Sequence, residues 1–355
     1  MTSDSSPPKP WRPTGFQIAA SLASLALAVI LLGFLLPKAT GADWGEAWDV
    51  MTELGPVDFL AMTGLWAVGL WLYTFVYTAS LPGLRHAQAL NLNLTGSLVS
   101  NLLPFGGAAG VANTYGLTFS WGFGGVATSL MVLVSGLANL LIRIVLPVVG
   151  LVALMSSDAT LPVGASGVLR STLLVLAVLA VLVILILVNS RVAGWVGMVG
   201  DVFLRACAKL LGRPQPKPRL RPALIHMQKD AVAVLRKGWY LVAFGMIAYY
   251  ASELALFWWA LDSLGAPIGI AEVTAAFALS RVLTSVVVTP SGVGISEAGT
   301  AGLLVLFGTP PAVAAAAVLV LHFYTYLIEI PAGLVGWGWV LVMRKRWGRT
   351  AAASA

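Results

Sequence analysis

Apolar positions along this chain do not alternate with polar ones at helical spacing. They fall in unbroken runs, and a helix that is apolar all round is one that lipid or protein surrounds completely. Crossing roughly 30 Å of hydrocarbon takes about 20 helical residues. Six runs are long enough: Phe16–Leu36, Phe59–Leu81, Val126–Met155, Val168–Val188, Trp239–Leu261 and Ala312–Val342. Lys9 and Arg12 precede the first, as in a signal peptide. Its apolar run exceeds a signal core, however, and Pro37-Lys38 follow where small residues belong, so it reads as a retained span.

Two further apolar stretches are broken at their centres. Leu90–Gly122 is interrupted by Pro104, Gly106, Gly107 and Gly110, and Ile270–Gly308 by Pro290, Gly292 and Gly294. Each half is too short to span comfortably, and proline with clustered glycine breaks a helix. Both stretches therefore predict re-entrant hairpins with tips inside the membrane. Such backbone is tolerated at depth only where protein or a wet cavity surrounds it. The expected fold is an all-α polytopic membrane protein with six full transmembrane helices and two re-entrant broken hairpins.

Composition agrees. Of 355 residues, 59% are hydrophobic and only 10% charged, against roughly 25% charged in soluble domains. That excludes a soluble enzyme and a disordered chain. A single cysteine, Cys207, excludes an internal disulfide and a multi-cysteine metal site. The net charge of +7 is explained by position. With both termini inside, seventeen of the 21 basic residues fall in cytoplasmic segments, whereas the outer loop 41–58 carries Asp43, Glu46, Asp49, Glu53 and Asp58. The expectation is a cell-membrane protein with cytoplasmic termini and no nucleic-acid partner.

Shifting the chain by 186 residues places Pro104 on Pro290, Gly106 on Gly292, Gly122 on Gly308, Arg143 on Glu329 and Gly150 on Gly336. The same shift places the second span on the fifth and the third on the sixth. Each unit is span, span, hairpin, span. Three crossings are an odd number, so the second unit is inverted, a layout common in secondary transporters with midplane sites. The expected divisions are a disordered tail 1–15, a first repeat 16–156, a second repeat 157–342 containing a cytoplasmic connector 190–237, and a basic tail 343–355. Within the connector, Trp195, Val199 and Phe203 recur at helical spacing beside Arg205 and Lys209, the pattern of a basic amphipathic helix on the inner leaflet.

Ionisable groups lie inside the apolar stretches: Arg143, Glu253, Arg281, Glu297, His322 and Glu329. A charge at the bilayer centre costs about 2.5–3.5 kcal/mol even on lenient scales. Two readings stand at this point. The charges pair and hold the repeats in register, or they line a polar cavity where arginine meets an anionic group and the acids compensate, accept a cation or carry a proton. On the second reading Arg281 and Glu297 are expected to line one polar pocket at the tip of the second hairpin, with Arg143 and Glu329 close to it. The glycine tips likewise permit close packing or offer an anion-binding helix N-terminus. Asn91, Asn93, Thr95, Ser97, Ser100 and Asn101 make the first hairpin's entering arm polar, so that arm faces water or protein.

The run SRVLTSVVVTPSGVGISEAGTAGLLVLFG (280–308), followed by LIEIPAGLVG, resembles the flippase-like membrane region of lysylphosphatidylglycerol synthases, the multiple peptide resistance factor family. The pattern there falls on Arg281, Pro290, Gly292, Gly294, Glu297 and Gly308. The resemblance implies a lipid flippase moving an anionic or aminoacylated phospholipid between leaflets. Where family members carry an arginine early in the last span, this chain has His322, Tyr324 and Tyr326, which puts the headgroup in question. The chain ends soon after the last span, so the expectation is a stand-alone member, not an enzyme, without the aminoacyl-transferase domain and with no cofactor. Its partners would be membrane phospholipid and a separate lipid-modifying enzyme. A proton-coupled transporter of a small anion and a non-transporting membrane partner are the alternatives.

Overall fold

The computed structural model describes residues 30–102, 106–157, 189–210, 220–284 and 293–347, with residue 26 and scattered positions between 171 and 185. Every element among them is helical: α1 (Ile30–Thr40), α2 (Trp44–Thr52), α3 (Pro56–Ser80), α4 (His86–Leu102), α5 (Gly106–Ser120), α6 (Gly125–Met155), α7 (Ser190–Leu210), α8 (Leu220–Ser263), α9 (Ile270–Leu283), α10 (Ile295–Leu306), α11 (Pro311–His322) and α12 (Glu329–Trp347). A π-helical turn, Phe323–Leu327, joins the last two. Four stretches are long and apolar enough to cross a membrane: Pro56–Ser80, Gly125–Met155, Gly238–Ser263 and Pro311–Met343. The expected first and fourth spans lie largely outside the described residues, as do Pro104, Pro290 and Gly292.

Local chemistry explains the boundaries. α3 begins where Pro56 sets a helical φ and Asp58 reaches back to accept from the Gly55 N–H at 3.0 Å. The same carboxylate accepts from Trp259 Nε1 and Ser263 Oγ at the end of α8. Gly238 and Gly245 of α8 abut Ala79 and Leu72 of α3, where a Cβ would press on backbone oxygen. α3 and the membrane part of α8 therefore pack antiparallel over their full length, at a separation that only small residues allow.

The hairpins pack crosswise. α9 and α10 pack together, as do α4 and α5, but α9 lies along α6 and α4 lies along α12. Gly150 of α6 faces Thr274, Ala275 and Ala278 of α9. Gly336 of α12 faces Asn91, Leu94 and Thr95 of α4, and Asn91 Nδ2 donates to the Gly336 carbonyl at 2.7 Å. The last span of each half thus rests on the entering arm of the other half's hairpin. The core between them holds Met62, Phe257, Phe277, Leu304 and Tyr324, with the fully buried run Ala314–Ala317 placing α11 centrally. Leu60, Val68, Phe244, Ile247, Leu334 and Val335 point outward, as a lipid-facing surface requires.

Four features differ from the sequence expectation. The first apolar helix runs past Pro37 to Thr40 and stops at Gly41, whose φ of 76° ends it. The acidic segment 41–58 contains a helix, α2, capped by Asp43 Oδ1 accepting from the Gly45 N–H at 2.7 Å. The fifth span is the end of a 44-residue helix that begins at Leu220, because Pro222 falls in the first turn, where a missing N–H costs nothing. The sixth span is divided by the π turn, anchored where the Tyr324 hydroxyl donates to the Phe59 carbonyl at 3.0 Å. The connector helix appears as α7 and packs on α8, with Trp195, Val199 and Val202 exposed.

Candidate functional site

The charges within the apolar segments form three hydrogen-bonded groups, near enough for Arg281 to act electrostatically on both His322 and Glu329. In the first, α8 carries Tyr249 and Glu253 one turn apart, and the tyrosine hydroxyl donates to Glu253 Oε1 at 2.8 Å. Arg281 of α9 holds Glu253 Oε2 at 3.4 Å, with both side chains 9% exposed, and its guanidinium lies 5.0 Å over the Phe277 ring one turn earlier. Arg143 of α6 approaches Thr284 Oγ1 at 3.5 Å, at the end of the same arm. One turn before Arg143, Asn139 donates to Tyr73 Oη at 2.7 Å, so α3, α6, α8 and α9 converge on a polar seam.

The second group sits at the start of α10. Gly294 adopts φ 92°, a conformation glycine takes without strain, and its N–H donates to Glu297 Oε2 at 2.6 Å. Ser296 Oγ donates to the same oxygen at 2.9 Å. Glu297 therefore caps its own helix, and the N-terminus of α10 is closed by a carboxylate rather than open to an anion. Across from it, His322 holds the Val318 carbonyl through Nδ1 at 2.9 Å, which turns Nε2 toward Glu297 Oε1 at 3.6 Å. The imidazole stacks on Tyr326, with centroids 5.5 Å apart and rings 2° from parallel.

The third group joins the halves: Asn101 Nδ2 donates to Glu329 Oε2 at 3.4 Å, and Ser97 lies near this carboxylate. Arg143 and Glu329, equivalent under the 186-residue shift, thus each reach the entering arm of the opposite hairpin.

Sequence reasoning placed Arg281 and Glu297 in one pocket, with Arg143 and Glu329 close by. The structure gives Arg281 a different carboxylate, Glu253, and gives Glu297 to His322. Of the candidate residues, Glu297, His322 and Asn101 line a cavity of about 930 Å³, and Arg143, Arg281, Glu253 and Glu329 do not. The cavity's long wall is apolar, built from Leu32, Trp48, Met51, Phe59, Leu319 and Leu327. Glu297, His322 and Tyr326, which touch in series, form its polar corner, and Thr52 and Asn101 add polar lining. Gly107 and Gly110 line a smaller cavity beside the first hairpin, and Gly106 abuts the Ser100 backbone, where a Cβ would not fit.

The residues missed by sequence reasoning are those of α2. Trp44, Trp48 and Met51 were legible in principle: Asp43 precedes Trp44-x-x-x-Trp48-x-x-Met51, a helix cap followed by one apolar stripe.

No curated protein matches the chain. The family described as the lysylphosphatidylglycerol synthase TM region matches it over residues 21–333, most of its length. With its charged seam, its broken hairpins and that match, the chain belongs to the lysylphosphatidylglycerol synthase transmembrane-region family.

Proposed function

We propose that this protein is a lipid flippase of the cell membrane, moving an anionic or aminoacylated phospholipid between leaflets, with both termini cytoplasmic and its halves related as inverted repeats. The observation that carries the reading is the larger cavity. A mostly apolar lining that holds one cluster of a carboxylate, an imidazole and a phenol suits an amphiphile, with chains on the apolar surface and headgroup at the cluster. Among its described lining residues Glu297 is the sole carboxylate and no lysine or arginine appears. This favours an ammonium-bearing headgroup at Glu297, with the phosphate left to Arg281 and Arg143 as the lipid passes the seam. A small anion needs neither the apolar wall nor the carboxylate.

The packing supports the inverted repeat. The equivalent spans α3 and α8 run antiparallel, and Gly150 and Gly336 make equivalent approaches to opposite hairpins. Two halves rocking about this exchange would expose the seam alternately to each side. A separate lipid-modifying enzyme would supply the aminoacylated substrate.

Photo-crosslinking tests the reading. Vesicle-reconstituted protein is irradiated with an aminoacylated phospholipid carrying a diazirine in its acyl chain, and labelled peptides are mapped. Labels on Trp48, Leu319 and Leu327 are expected. Labels confined to the outer faces of α3 and α12 would contradict it.

A further inference from the structure

The hydrogen bonds around Glu297 and His322 assign most of their protons. Glu297 Oε2 accepts from both the Gly294 N–H and the Ser296 hydroxyl, and the carboxylate sits on the first turn of α10. Two donors and a helix N-terminus make it the anion of the pair. His322 Nδ1 lies 2.9 Å from the Val318 carbonyl, which can only accept, so Nδ1 carries a hydrogen. Nε2 is therefore the nitrogen that gains or loses a proton. It faces Glu297 Oε1 at 3.6 Å and the Ser296 hydroxyl oxygen at 3.3 Å. Stacking on Tyr326 holds the ring in that plane.

Both side chains are shielded, with His322 7% exposed and Glu297 3%. An isolated carboxylate so placed is costly, so the site needs one positive charge beside Oε1. The neighbouring elements do not supply it. Arg281 of α9 acts on the imidazole electrostatically but pairs with Glu253 of α8. Glu329 is held by Asn101. Lys38 of α1 and Glu46, Asp49 and Glu53 of α2 are exposed. Two cations can serve Oε1: the proton on Nε2, or an ammonium group in the cavity. They exclude each other. An imidazolium N–H turned to Oε1 repels an ammonium. A neutral Nε2 presents a lone pair instead, and with Oε1 it accepts from the ammonium N–H groups.

Resting on the reading of Glu297 as the ammonium site, we propose that Glu297 and His322 exchange one proton for one headgroup, which makes the protein a lipid–proton antiporter. Ammonium binding at Oε1 expels the Nε2 proton to solution, and lipid release takes one back. One positive charge enters as one leaves, so the buried carboxylate is never left unpaired. By linkage each cation weakens the other to the same degree. A proton gradient then drives lipid into the leaflet that faces the acidic side.

Proton counting tests the exchange. The protein in dodecyl maltoside is titrated with dioctanoyl phosphatidylglycerol carrying a 6-aminohexanoyl ester, whose ammonium stays charged from about pH 5.5 to about pH 8. Calorimetry in two buffers of different ionisation enthalpy gives the number of protons released. At the acidic end about one proton per lipid is expected, with the affinity rising about tenfold per pH unit and levelling off at the alkaline end. His322→Gln, whose amide takes up no proton, should bind with the same affinity at every pH. In proteoliposomes clamped at zero potential, a pH difference of about one unit should enrich the lipid up to about tenfold in the leaflet facing the acidic side. The proton count is read on the wild-type protein, so it decides the matter even where His322→Gln fails to fold. Binding without proton release, or a pH dependence that persists in His322→Gln, would overturn the exchange and leave the lipid reading of Glu297 standing. No saturable binding at any pH would overturn both.

Discussion

Glu253 and Arg281 are ion-paired at 3.4 Å between α8 and α9, each side chain almost wholly shielded. Removing one member leaves the other charged and buried, which costs about 3–5 kcal/mol. Arg281→Ala should therefore lower the melting temperature in detergent sharply. The double variant Glu253→Gln/Arg281→Gln should recover most of the loss, while Glu297→Gln/Arg281→Gln should not. Recovery in the second combination alone would mean that Arg281 pairs with Glu297 instead.

Glycine 333 brings α12 against α4, where a Cβ would meet the Leu94 carbonyl and the Leu98 side chain. Gly333→Val should destabilise the protein by about 1–3 kcal/mol by prising the last span from the first hairpin. Gly338→Ala, on the same helix with open space at its Cβ, should be neutral or stabilising. Thermal melts of the two variants side by side check the contact, and equal effects would refute it.

Asp201 caps the long helix α8 from α7. Its two carboxylate oxygens accept from the Leu220 and Arg221 N–H groups, each at 3.1 Å. Asp201→Ala should cost about 1 kcal/mol and loosen α7 from α8. Limited proteolysis should then cut faster near residue 220, with the membrane core unaffected. An unchanged cleavage rate would show that the cap does not hold the two helices together.

Much of this fold is legible in the sequence because membrane helices are specified by composition. The third span was expected from Val126 to Met155 and runs from Gly125 to Met155, and the arms of the second hairpin fall within the expected Ile270–Gly308. What stayed hidden depends on contacts between distant segments. Nothing in the spacing of Phe323–Leu327 announces a π turn, which is anchored by the Tyr324 hydroxyl at Phe59 and Thr63, more than 250 residues away in sequence. The partner of Arg281 was equally hidden. Glu297 is nearer in sequence, but its carboxylate is taken by its own helix N-terminus, a local bond that wins before any arginine arrives. Pro222 lies in the first turn of α8, where its missing N–H costs nothing, but nothing local in the sequence fixes the helix start at Leu220.

The proposed inverted repeat makes a directional prediction. Single cysteines in a Cys207→Ala background should be labelled by a membrane-impermeant maleimide from outside at Ser157 and Gly265, and only after permeabilisation at Arg85 and Arg236. Outside labelling at Arg85 would place the first hairpin on the wrong side and break the repeat.

If lipid crosses through this protein with its headgroup passing Glu297, leaflet exchange in proteoliposomes reads that passage out, using a fluorescent aminoacylated phospholipid and a membrane-impermeant quencher. The wild-type protein should quench the inner-leaflet pool many times faster than protein-free vesicles. Glu297→Gln, which keeps the size of the side chain but loses its charge, should slow exchange at least tenfold without lowering reconstitution yield. Exchange no faster than in empty vesicles, with the protein folded and inserted, would contradict the account.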